Sequence, residues 1–78
     1  MAAKKSTLRL LGEEIRLRRK SLGLNQEELA EGAGLHRTFI SSVERGKKNI
    51  SILSLEALAT SLDVSMTDLI AAVERGKR

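Results

Sequence analysis

The sequence predicts an all-α protein of five short helices around one core, and three observations lead there. Proline is absent from all 78 residues, so no position forbids a helix. Apolar residues recur at steps of three and four rather than in alternation, the period of an amphipathic helix and not of a strand. Asn25 with Glu28, and Ser65 with Asp68, have the spacing of a capping box placed just before an apolar run. A chain of this length has room for one core and one domain.

Taken in order, Met1 to Ser6 are small and polar with Lys4 and Lys5 and read as a mobile tail. The expected domain spans residues 7–75, and residues 76–78 form a short C-terminal tail. Leu8, Leu11 and Ile15 share one face of a first helix that runs to about Leu22, where Gly23 offers the left-handed residue that ends helices. Asn25 caps a second helix reaching about Gly32, with Leu29 and Ala30 facing inward. Gly34 follows so closely that the third helix, from His36 or Arg37 to about Arg45, is joined to the second by a turn of about three or four residues. The two must cross steeply. Ile40 and Val43 bury one stripe of the third helix and leave Arg37, Thr38, Ser41, Ser42 and Arg45 on its other faces. Gly46-Lys47-Lys48-Asn49 reads as a basic loop. Ser51 then caps a fourth helix in which Ile52, Leu55, Leu58, Ala59 and Leu62 keep helical spacing up to about Asp63. Ser65 caps a fifth that carries Met66, Leu69, Ile70 and Val73 and frays at Gly76.

Composition narrows the function classes. Apolar residues make up 41% of the chain and charged residues 31%, the balance of an ordered domain rather than a disordered segment. Fourteen basic against ten acidic side chains give a net charge of +4, which favours a polyanionic partner. The single aromatic residue, Phe39, leaves no stacking platform for single strands, so duplex nucleic acid is the candidate. With no Cys and one His, neither a disulfide framework nor a zinc site of the usual kind is available. No apolar run approaches the roughly 18 residues of a membrane span, and no secretion signal precedes the domain. The expectation is a cytoplasmic protein without metal, cofactor or small-molecule ligand.

Two stretches carry the most information. Leu22-Gly23-Leu24-Asn25-Gln26-Glu27-Glu28-Leu29-Ala30 is followed by Gly34-Leu35-His36-Arg37-Thr38-Phe39-Ile40-Ser41-Ser42-Val43-Glu44-Arg45-Gly46. Together they resemble the lambda-repressor-like, Cro/C1-type helix-turn-helix family, over roughly Leu11 to Ile70. Within it, the short length and the Arg37-Thr38-Phe39-Ile40-Ser41 segment resemble the controller proteins of restriction–modification systems. The resemblance implies a five-helix DNA-binding domain with the helix-turn-helix at helices two and three. It implies base contacts from Arg37, Thr38 and Ser42, with Ser41 a further candidate, and a backbone clamp at Gln26. It also implies a charge pair between Arg19 and Glu44. A helix start attracts phosphate, which adds Asn25 to Gln26, and Arg45, Lys47 and Lys48 supply phosphate neutralisation after the third helix. Operators of the family mirror a two-fold axis, so a homodimer is expected, with Leu53, Ile70 and Val73 as candidate apolar contacts and a buried place in the monomer core as the alternative for them.

Sharper readings of other residues are weaker. His36 precedes a helix, where short polar residues commonly sit, and has no companion ligand or nucleophile turn, so the chain reads as a non-enzyme. Phe39 beside Ile40 belongs to packing more readily than to base stacking. The expected function is thus a regulator binding a palindromic duplex operator, with RNA polymerase a further partner for such a protein. The alternative is an antitoxin or phage Cro-like repressor acting partly through protein–protein binding.

Overall fold

A computed structural model describes residues 5–78, and every described residue in regular structure is helical. The order is α1 (Thr7–Ser21), α2 (Gln26–Ala33), α3 (Arg37–Glu44), α4 (Ile52–Ser61) and α5 (Met66–Gly76). Met1 to Lys4, most of the stretch read as a tail, lie outside the described residues. Ser6, at its end, is the N-cap of α1 and accepts the Arg9 N–H at 3.1 Å.

Helices α2, α4 and α5 each start where a short polar side chain takes up a backbone donor that the helix itself cannot satisfy. Asn25 and Glu28 bond reciprocally at α2, and Ser65 and Asp68 do so at α5. Ser51 alone caps α4. Helix α2 runs through Ala33, one residue past the expected end, and closes with the Leu35 N–H on the Ala30 carbonyl at 2.8 Å. That bond turns the chain directly into α3. His36 is the N-cap residue of α3, and its side chain makes no cap hydrogen bond.

One apolar cluster joins all five helices: Leu11 and Ile15, Leu29 and Ala30, Ile40 and Val43, Leu55, Leu58 and Ala59, then Leu69 and Val73, with Leu62 at the end of α4. Helix α1 packs on α3 and α5, and α2 packs on α3 and α4. Phe39 is half-buried against this cluster, so packing accounts for it as expected. Two assignments change. Ile52 keeps helical spacing with Leu55 yet is 66% exposed, because no helix covers that side of the first turn of α4. Val73, expected as a dimer contact, is 3% exposed and belongs to the monomer core. Its neighbour Ile70 lies toward the solvent side of α5 at 43%.

Candidate nucleic-acid interface

The sequence of α3 sorts its side chains into two halves. At about 100° per residue, Phe39, Ile40, Val43 and Glu44 fall on one side and Arg37, Thr38, Ser41, Ser42 and Arg45 on the other. The first group is buried or half-buried against the protein; in the second, Arg37, Thr38 and Arg45 are exposed and Ser41 and Ser42 half-buried. The outward strip is about 12 Å long at 1.5 Å per residue. A helix presenting short polar side chains and two guanidinium groups along such a strip fits a major groove about 12 Å wide.

A buried ion pair holds α3 against α1. Arg19 and Glu44 are 7% and 8% exposed, with Arg19 Nε donating to Glu44 Oε2 at 2.6 Å and Nη2 to Oε1 at 3.0 Å. Arg19 Nη1 also donates to the Leu24 carbonyl at 2.8 Å, which ties down the segment entering α2. The Glu44 carboxylate raises the Arg19 pKa above the ordinary arginine value, so the guanidinium stays charged. The charge pair expected between these residues is present.

The same carboxylate orients the outward face. Gln26 Nε2 donates to Glu44 Oε1 at 3.1 Å, and Arg37 Nη1 donates to Gln26 Oε1 at 3.3 Å. A carboxylate only accepts and a guanidinium only donates, so the Gln26 amide has one orientation that satisfies both. The core pair thus places an acceptor at the start of α3, and that acceptor holds Arg37. The family resemblance implied a backbone-clamping role for Gln26 but no link to Arg37, since the two are eleven positions apart and meet only because α2 and α3 cross.

Around this centre, Asn25 is occupied by its capping box, its Oδ1 accepting the Glu28 N–H at 2.8 Å. Glu27 and Glu28 add negative charge to the first turn of α2, which offsets the attraction of the helix start for an anion. Arg45 caps α3, with its Nε donating to the Ser41 carbonyl at 3.3 Å. Lys47 is exposed, and Lys48 Nζ sits 5.7 Å from the centre of the Phe39 ring, within cation–π range. Leu53, expected at a dimer contact, stands 72% exposed on α4. Ile70 lines a shallow apolar groove with Ile52, Leu55 and Met66. No group of three or more metal-ligating side chains occurs among the described residues, and none of the described helices is long and apolar enough to cross a membrane.

Comparison with known proteins returns the same architecture. A family model described as helix-turn-helix matches residues 15–69. Control protein C.SmaI of Serratia marcescens is 44% identical over 61 residues, covering 78% of this chain and 73% of that protein. The restriction-modification controller protein C.AhdI from Aeromonas hydrophila is 40% identical with a TM-score of 0.78, covering 80% of this chain and 94% of its own. The controller protein C.Esp1396I, solved as a tetramer in complex with its natural 35 base-pair operator, is 32% identical with a TM-score of 0.82, over 94% of this chain and 96% of its own.

Proposed function

We propose, because this chain belongs to the Cro/C1-type helix-turn-helix family, that it is a transcription regulator of the restriction–modification controller kind, binding a palindromic operator in duplex DNA as a homodimer. The observation that carries this reading is the outward strip of α3, with Arg37 held at its start through Gln26 and the buried Arg19–Glu44 pair. In this reading α3 enters the major groove. Arg37, Thr38, Ser41 and Ser42 meet base edges there, and Asn25, Gln26, Arg45, Lys47 and Lys48 meet the flanking phosphates. Leu53 and Ile70 meet the second copy. The chain acts by binding rather than catalysis, in the cytoplasm, and RNA polymerase is a further partner. The operator-bound controller relative, similar over nearly the whole chain, supports the reading.

Arg37 presents a two-pronged donor that matches O6 and N7 of guanine. Selection from a random duplex pool is expected to return a two-fold symmetric site with a guanine at a fixed place in each half. Arg37→Ala is then measured at one salt concentration against that operator, its guanine-substituted variants and random duplex. The expected loss is about 1–3 kcal/mol of discrimination at that base pair. Equal weakening on all three duplexes would show that Arg37 meets a phosphate and does not read sequence.

A further inference from the structure

Helix α1 does more than brace α3 from behind. Gly46 follows α3 with φ +71°, and a Cβ built on it would stand 2.8 Å from the Arg9 Cα. Only glycine allows the loop backbone to rest so closely on the start of α1. The two segments form the walls of an open cleft: Arg9, Glu13 and Arg16 from α1 face Arg45, Gly46 and Lys47 from the loop. Glu44 also borders the cleft, but its carboxylate is buried and bound by Arg19. Four cations therefore line the cleft beside one further acid, Glu13.

We propose that this cleft is a second phosphodiester-binding surface, formed by Arg9 and Arg16 beside Arg45 and Lys47, with Glu13 as the counter-charge that holds Arg9 in the free protein. The proposal rests on the duplex-binding reading above and adds residues of α1 to it. Three features favour a strand over a small anion. Arg9 and Arg16 are seven residues apart on one face, about 10 Å along the helix, which suits a row of phosphates spaced about 3.4 Å per base along the axis. The cleft is continuous with Arg45 and Lys47, which directly follow the groove-facing helix. Glu13 now accepts from Lys5 Nζ at 2.9 Å and from Arg9 Nε at 3.3 Å, and among the described residues Arg16 has no carboxylate partner. Exposed pairs of this kind are weak and exchange readily for a polyanion. The Lys5 hydrogen bond holds the Glu13 carboxyl below its ordinary pKa, so the counter-charge is present at neutral pH.

The test uses the full chain and its selected operator, with binding followed across a salt series. Arg16→Ala and Arg9→Ala are each expected to make the log–log salt slope shallower by about 1.8, one phosphate for each of the two copies on the operator. Both should weaken operator and random duplex by the same factor. Glu13→Gln removes the exposed opposing charge, so it is expected to bind both duplexes several-fold tighter at low salt and to lose that gain at high salt. A surface serving only to stabilise α1 would give the opposite sign. If the wild-type chain shows no salt-dependent duplex binding, the DNA-binding reading fails and this surface with it. If the wild type binds but Arg16→Ala keeps the wild-type slope and Glu13→Gln binds no tighter, the cleft alone is overturned.

Discussion

Removing either Arg19 or Glu44 alone strands a charge where less than a tenth of the residue reaches water. Breaking such a pair from one side costs about 3–5 kcal/mol, whereas replacing both partners by apolar groups of similar volume is close to neutral. Glu44→Ala is therefore expected to lower stability by about 3 kcal/mol, and Arg19→Met with Glu44→Leu to lose clearly less than the two single changes added together. Urea unfolding of the four proteins measures this directly. Additive losses would mean that the pair is not coupled. The double variant has a second consequence: without Glu44 the Gln26 Nε2 loses its acceptor and the amide is no longer anchored to the core, so a chain that folds well is expected to discriminate operator from random duplex poorly.

The helices of this protein are short, from 8 to 15 residues, and isolated helices of such length are marginal in water. Their caps therefore matter. At α5 the Asp68 carboxylate accepts the Ser65 N–H at 3.0 Å, and this backbone hydrogen bond, with that of the Ser65 hydroxyl, holds the Asp68 pKa below the ordinary 3.8. A carboxylate depressed in the folded state contributes stability that is fully present above its unfolded pKa and is lost as pH falls through its folded pKa. Asp68→Asn keeps an acceptor but removes the charge. The stability difference between wild type and Asp68→Asn is expected to be level above about pH 5 and to shrink below about pH 4. Thermal unfolding from pH 2 to 6 reads it. A difference that persists undiminished at pH 2 would assign the cap to hydrogen bonding alone.

For the whole molecule, one small headpiece reads few base pairs, so specificity calls for a second copy. Leu53 and Ile70 are exposed, while Val73 of the same expected contact is buried. The three thus separate in experiment. Leu53→Glu and Ile70→Lys are expected to shift sedimentation equilibrium at tens of micromolar toward the monomer while leaving the helical signal intact. Val73→Ala is expected to lower stability by about 2 kcal/mol through the cavity it leaves. A dimer mass unchanged by both surface substitutions would move the contact to another face.

The starts of α2, α4 and α5 were legible in the sequence, because a cap is made between residues three apart: Asn25 with Glu28, Ser51 with Ser54, Ser65 with Asp68. The apolar period also placed Leu11, Ile15, Leu29, Ile40, Val43, Leu55, Leu58 and Leu69 in the core, where the structure has them. The outward strip of α3 followed from the same period, together with the family likeness. The placement of neighbouring helices was not legible. Period gives a residue an angle around its own axis, but whether that angle meets another helix depends on packing between distant segments. Ile52 and Leu55, or Ile70 and Val73, are three apart and equally apolar; only the covering helices make one core and the other surface. The Arg37–Gln26–Glu44–Arg19 chain and the meeting of Arg9 and Arg16 with Arg45 and Lys47 arise in the same way. They join residues that no local hydrogen bond or helical repeat connects, and the crossing of α2 on α3 and the approach of α1 to Gly46 bring them together.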